Sequence, residues 1–437
     1  MKVVGLVTEY NPFHNGHKYH IEESKRITGA DYCIAVMSGN FVQRGVPAMI
    51  NKYHRTRMAL NNGVDLVIEL PVCYATASAE FFALGAVSIL DQLKIVDTIC
   101  FGSECGDITL LQKAAEFLLN APDSYNKHLQ TYIKQGFTYP AARSKALKHH
   151  FKNQSFHDLD RLTQVMSEPN NILGIEYMKA LLRLKSRIVP ITIQRISAHY
   201  HDKDLASDTL QHNRPTSLNQ DFPPVISSAT AIRKVIQDNV KSRNEFENMQ
   251  YSVPNDVYKL LQENHLKSYP ITENDFLSNL LYKLMWEENT SLSTYSDITS
   301  DLADRMKNVS GYYSDFSDLT NIIKTKNMTL TRINRALLHL LLNIKTDTLT
   351  EYNNHGYAQY ARILGVKKQS TSLLRMAERM EGIPIITKVS QAKTKLSSIG
   401  MQMLNEDLFA AHLYNQAVYN KFGLETPNEY KHGIVIV

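Results

Sequence analysis

Two histidines three residues apart, His14 and His17, flank Asn15 and Gly16 at the end of the run Gly5-Leu6-Val7-Thr8-Glu9-Tyr10-Asn11-Pro12-Phe13. The apolar residues 3–7 predict a strand, the polar stretch after them a turn, and His-Asn-Gly-His the start of a helix. A helix start presents unpaired backbone N–H groups and the positive end of the helix dipole, so it attracts anions. Gly16 carries no Cβ, which lets a phosphate approach the backbone. Each imidazole can donate an N–H to a phosphate oxygen. Donors fixed in advance favour a transition state in which charge builds on those oxygens. The expected chemistry is attack on the α-phosphate of a nucleotide with pyrophosphate leaving, achieved by positioning and charge neutralisation rather than a covalent enzyme intermediate. No third ligand is evident beside the two histidines, so no metal site is expected here.

The elements that must hold this site are legible in the first hundred residues. Strands are expected at 3–7, 32–37, 65–70 and 98–101, separated by helical patterns at 18–27, 52–61 and 77–90. Short, nearly all-apolar strands alternating with helices imply a Rossmann-like α/β domain, a parallel sheet covered on both faces. Ligands in such sheets bind beyond the carboxyl ends of the strands. The loops at 14–17, 38–45, 71–74 and 102–106 should therefore converge on one site. Residues 107–165 read as helices, and Pro169-Asn170-Asn171 opens another, at 175–185. A strand is expected at 188–195 and a polar loop at 197–224. Ser228 and Thr230 then suit the cap of a helix running to about residue 239. From about 245 helical periodicity dominates, with strand signals only near 384–388 and 433–437. The expectation is a catalytic domain over 1–245 and a separate, mostly helical domain over 246–437.

A chain of 437 residues has room for two or three domains, and 43% hydrophobic with 21% charged residues is the balance of a soluble globular protein. No run of eighteen apolar residues predicts a membrane span, and no signal peptide is expected. The spacing of Cys33, Cys73, Cys100 and Cys105 fits neither a disulfide framework nor a zinc site, which predicts a cytoplasmic protein with reduced thiols. The net charge of +5 is compatible with an RNA partner without requiring one.

Four segments together go beyond a nucleotide site: His14-Asn15-Gly16-His17, Ser38-Gly39-Asn40-Phe41-Val42-Gln43-Arg44-Gly45, Val64-Asp65-Leu66-Val67-Ile68-Glu69-Leu70-Pro71 and Ser228-Ala229-Thr230-Ala231-Ile232-Arg233. With Gly102-Ser103-Glu104, Pro169-Asn170-Asn171-Ile172-Leu173-Gly174, Tyr200-His201-Asp202, Arg332-Ile333-Asn334-Arg335 and Tyr360-Ala361-Arg362-Ile363-Leu364-Gly365, they run along nearly the whole chain. In this set the chain resembles the bacterial tRNA(Met) cytidine acetate ligases, members of the nucleotidyltransferase superfamily that shares His-x-Gly-His. The resemblance implies a two-step reaction. Acetate attacks ATP to give acetyl-adenylate and pyrophosphate. The 4-amino group of the wobble cytidine of elongator tRNA(Met) then takes the acetyl group, forming N4-acetylcytidine.

The resemblance also implies that ATP lies on Val7-Thr8-Glu9-Tyr10-Asn11-Pro12-Phe13-His14-Asn15-Gly16-His17-Lys18-Tyr19-His20 and on Gly102, Asn170 and Arg195. Arg233 is a further candidate, because its Ser-x-Thr-x-Ile-Arg pattern lies near the phosphates in other superfamily members. Arg44, in a Gly-flanked loop, suits an anion such as acetate. Asp65 is carried as a catalytic candidate with its role open between holding a loop and taking a proton from the attacking amine. Magnesium is expected with the triphosphate, although no carboxylate cage for it is visible.

For tRNA, the candidates are Arg332, Arg335, Arg362, Lys367, Lys368 and Arg375, beside Tyr357 and Tyr360, since cations track phosphates and aromatics stack on unpaired bases. Two other readings compete. One is a nucleotidyltransferase acting on a small-molecule acceptor, which leaves the helical part without a purpose. The other is a non-catalytic RNA-binding protein on a retired nucleotide scaffold, against which the intact His14-x-Gly16-His17 argues.

Overall fold

The computed structural model describes residues 1–137, 139–151, 159–195, 226–238, 243–309, 312–325 and 328–437. The expected loop at 197–224 and the motif Tyr200-His201-Asp202 lie outside the described residues. Ten strands are described: β1 (Val3–Thr8), β2 (Tyr32–Ser38), β3 (Phe41–Val42), β4 (Val46–Pro47), β5 (Leu66–Leu70), β6 (Thr98–Ser103), β7 (Val189–Gln194), β8 (Ala361–Val366), β9 (Ile385–Ile386) and β10 (Val435–Ile436). One sheet runs in the order β10-β8-β5-β2-β1-β6-β7, with β9 pairing beside β8, while β3 and β4 form a small separate hairpin. All neighbours in the large sheet are parallel except β5 and β8.

Alternation along β2 shows why both faces are covered. Ile34 and Val36 enter one hydrophobic core, whereas Cys33, Ala35 and Met37 enter the other. A strand buried on both faces must be largely apolar, and β2 and β5 are, with Ser38 at the end of β2 and the ion-paired Glu69 in β5 as the polar exceptions. Helices Ala79–Gln92 and Pro169–Leu184 pack against each other over the first core, which also holds Leu84, Leu90 and Met178. All four cysteines are free thiols, three of them buried. No helix among the described residues is long and apolar enough to cross a membrane.

The expected boundary near 245 does not divide the sheet. Residues 361–366, where no strand was expected, form β8, which pairs antiparallel with β5, and β10 extends the sheet beyond it. The short strands expected near 384–388 and 433–437 are present as β9 and β10. This junction carries a buried charge cluster. Lys52 lies 2.7 Å from Glu69 and 3.0 Å from Glu429, and Arg362 lies 3.1 Å from Glu69 and also pairs with Glu429. Burial pushes the Glu429 carboxyl up, but Lys52 and Arg362 outweigh it and hold it down to about 2. Two cations and two anions thus neutralise one another where β5, β8 and the C-terminal segment meet.

Candidate functional site

The site begins with how helix Asn15–Thr28 starts. His14 is extended (φ −145°, ψ 172°), and its Nδ1 accepts the Gly16 N–H at 3.1 Å. In return His17 Nδ1 accepts the His14 N–H at 3.2 Å. This is a capping box built from imidazoles, and two of the helix's orphan donors are satisfied by it. The rings stack with centroids 3.7 Å apart. Gly16 makes the fold-back possible, since a Cβ there would meet the His14 ring at 3.0 Å. The helix ends at Gly29 (φ 62°), with Lys25 and Arg26 in its last turn.

The reciprocal cap has a chemical consequence. A ring nitrogen that accepts an N–H carries no proton, so each neutral imidazole keeps its hydrogen on Nε2 as a donor. Burial, then the cations of Arg195 and Arg233, hold His14 down to about 3. Burial, then His14, His20 and Arg195, also lower His17 well below the usual imidazole range. Burial followed by Arg195 holds His20 at about 4.

Both rings line a cleft of about 310 Å³ at the carboxyl ends of β1, β6 and β7. Val7, Thr8, Glu9, Gly16, Tyr19 and His20 line it from the first βα unit, Gly102, Asn170 and Arg195 from the far side, Arg44 from the loop after β3 and Arg233 from helix Ala229–Asp238. Thr8 Oγ1 and His20 Nε2 are buried with no hydrogen-bond partner among the described residues. These are groups of the kind a polar ligand satisfies. Arg195 Nη1 donates to Asn170 Oδ1 at 3.2 Å, and Asn170 Nδ2 donates to Glu104 Oε1 at 2.6 Å. Glu104 also accepts the Asn170 and Asn171 N–H groups at the start of helix Pro169–Leu184, so Gly102-Ser103-Glu104 and Pro169-Asn170-Asn171 form one unit.

Other members of the segment serve the scaffold. Tyr10 and Phe13 are buried in the core beside His17. Asn11 Oδ1 accepts the Met49 N–H, and Arg233 Nη1 donates to the Asn11 carbonyl at 2.9 Å. Asn15 ties the helix start to residues 251 and 252 through the Tyr251 and Ser252 carbonyls. Lys18 is exposed and reaches Glu22, and Pro12 is buried.

Several expectations are corrected. Asp65 is not in the cleft. It precedes β5 at the amino end of the sheet, where Oδ2 accepts from Lys25 Nζ (2.7 Å) and the Cys33 N–H (2.9 Å) and Oδ1 from Ser370 Oγ (2.8 Å). Nor does the loop at 71–74 converge there: the Val72 N–H donates instead to Asp407 Oδ1 in helix Ser398–Phe422. Of the tRNA candidates, Arg362 and Tyr360 belong to the core, with the Tyr360 hydroxyl donating to Asp407 and Arg362 held in the charge cluster. Arg335 is tied to Asp297 at 2.8 Å.

One residue that the sequence did not single out organises the cleft. Arg55 is fully buried, and its guanidinium donates to the carbonyls of Glu9 (2.6 Å), Ser38 (3.0 Å), Ile50 (2.9 Å) and Gly39. It fastens the exit of β1 to the exit of β2. Burial lowers its pKa to about 10, partly offset by the surrounding acids and Tyr414.

The chain is similar to known proteins along its length. The family model described as HIGH nucleotidyl transferase matches residues 1–426. A tRNA(Met) cytidine acetate ligase of Acetivibrio thermocellus is 38% identical over the full length of both chains, and one of a Thermoanaerobacter species is 40% identical over 96% of each. Among solved structures, Thermotoga maritima TmcAL bound with alpha-thio ATP superposes with a TM-score of 0.85 at 29% identity, covering 100% of this chain and 99% of that one. Its apo form gives 0.87 at 30% identity, with both chains fully covered.

Proposed function

The chain belongs to the tRNA(Met) cytidine acetate ligase family of HIGH nucleotidyltransferases, and from that premise we propose how its cleft carries out the reaction. The protein is an ATP-dependent ligase that activates acetate and transfers the acetyl group to a tRNA cytidine. The observation that carries this reading is the reciprocal cap, which turns two imidazoles into fixed Nε2–H donors at a helix start inside a cleft with three arginines.

In the first step a carboxylate oxygen of acetate bonds to the α-phosphorus, and the bond to the bridging oxygen of pyrophosphate breaks. Charge grows on the leaving pyrophosphate, where His14, His17 and the helix start oppose it. Asn170 and Arg195 hold the nucleoside end against Gly102, and Arg44 binds acetate. In the second step the cytidine amino nitrogen attacks the acetyl carbonyl carbon, and the bond to the adenylate oxygen breaks to release AMP. Magnesium arriving with ATP would supply neutralisation of the pyrophosphate charge; among the described residues no three His, Cys, Asp or Glu side chains form a group that could hold it. The tRNA role of residues 246–437 rests on half-buried Arg332 in helix Leu330–Leu342, because Lys367 and Lys368 follow β8 beside Asp65, at the end of the sheet opposite the cleft.

The test is incubation with magnesium-ATP, labelled acetate and unmodified elongator tRNA(Met), followed by nucleoside mass spectrometry. Acetylcytidine that requires both ATP and acetate is expected. Pyrophosphate release with no label in tRNA would overturn the tRNA reading in favour of a small-molecule acceptor.

A further inference from the structure

Amide formation leaves one proton to place. The attacking amino group starts with two hydrogens and ends with one, and the departing AMP leaves as an anion. The two capping histidines cannot take that proton, since Nδ1 of each is occupied by a backbone N–H and Nε2 already carries hydrogen. Asp65 stands at the opposite end of the sheet. His20, held down to about 4, is a weak acceptor.

Among the described residues lining the cleft, Glu9 is the only acid, in the company of Arg44, Arg195 and Arg233. A carboxylate in a polyphosphate site repels the ligand, so its presence asks for a task other than holding phosphate. Its position indicates the task. The residues that the ligase reading gives to the nucleoside, Gly102, Asn170 and Arg195, lie toward β6 and β7, on one side of β1. Glu9 follows β1 and leans to the other side, where Oε1 accepts the Gln43 N–H at 2.9 Å in the loop after β2. Its carbonyl is clamped by Arg55, which fixes the backbone beneath it. That loop in turn rests on helix Leu330–Leu342: a Cβ on Gly45 would fall 2.3 Å from the Arg335 nitrogen. An acceptor nucleoside approaching past helix Leu330–Leu342 would therefore meet the cleft at Glu9.

We propose that Glu9 is the general base of acetyl transfer. As the amino nitrogen bonds to the carbonyl carbon and the bond to AMP breaks, the Glu9 carboxylate takes the N–H proton and passes it to solvent. This assignment rests on the ligase reading above.

The test uses Glu9→Gln, whose amide oxygen can still accept from Gln43, and two readouts on the full-length protein. Acetyl-adenylate is trapped with hydroxylamine as the hydroxamate, which needs no enzymic base, and acetyl transfer to tRNA is followed separately. The expected result is a ratio of tRNA product to hydroxamate lowered by about 10²–10⁴-fold relative to wild type. Equal loss in both readouts overturns the proposal and assigns Glu9 to adenylation or magnesium. An unaltered ratio with full activity overturns it too. Wild-type protein that forms hydroxamate but leaves tRNA unmodified overturns the ligase reading itself, a result visible before any variant is compared.

Discussion

Adding one methyl group at Gly102 separates a structural glycine from one that makes room for a ligand. Gly102 lies within β6 and lines the cleft. An ideal Cβ there would sit 3.4 Å from Arg195 Cγ and 3.9 Å from the Ile193 carbonyl, which is ordinary van der Waals contact. The nucleotide-free fold should therefore accept Gly102→Ala, and removing a glycine from a strand contributes a small stabilisation. A nucleoside lying against this backbone meets the methyl directly. Forcing one methyl into a filled contact costs about 1–3 kcal/mol, or a loss of about 5- to 150-fold in ATP affinity. Titration calorimetry with ATP, run beside thermal unfolding of both nucleotide-free proteins, reads the two effects separately. Equal ATP affinity in the two proteins would refute the placement of the nucleoside on β6. A variant that unfolds several degrees lower without ATP would refute the claim that the methyl has room.

The remaining predictions concern charge and the cap. His17→Ala removes an Nε2–H donor and half of the imidazole cap, so acetate-dependent ATP–pyrophosphate exchange should fall about 10²–10³-fold; a fall below tenfold would remove His17 from transition-state stabilisation. His20 stays neutral when folded but gains a proton when unfolded below its ordinary pKa of about 6.5, so its contribution to stability is lost as pH falls from about 6.5 toward about 4. Unfolding free energies from urea titrations between pH 7 and pH 5 should therefore drop more steeply in wild type than in His20→Gln, by up to about 1.4 kcal/mol per pH unit, and parallel slopes would contradict this. Glu429→Gln leaves Lys52 and Arg362 sharing Glu69 alone, and urea unfolding should show a loss of about 3–5 kcal/mol; a loss under 1 kcal/mol would mean that the cluster is not charge-balanced as described.

What the sequence discloses divides along physical lines. Strands β1, β2, β5, β6 and β7 are short apolar runs between helical patterns, and their direction alone locates the cleft. The same rule disqualifies Asp65, because a residue at the amino end of a parallel strand faces away from the ligand end. Strand β8 is less legible, since a six-residue buried run cannot be told from a buried helix turn by periodicity, and Arg362 in its middle resembles a surface cation. The charges that make Arg362 a core residue, Glu69 and Glu429, are far from it in sequence. Arg55 was invisible for a related reason: its partners are main-chain carbonyls, which carry no residue code. Glu9 was legible as part of the nucleotide segment, but its separation from the phosphate donors depends on the lateral order of the strands.

The sheet order also bears on how the protein is made. On a ribosome, β5 emerges early and finds β2, but the partner for its other edge, β8, is synthesised only after most of the chain has appeared. Through that interval a largely apolar strand offers unsatisfied main-chain groups to any neighbour, and its Glu69 has Lys52 as its cluster partner before β8 brings Arg362. A shortened gene product ending near residue 245 would be left in that state permanently. The nucleotide half of this protein is thus completed by residues made long after it, and quality control in the cell, rather than the cleft itself, would be the first to register their loss.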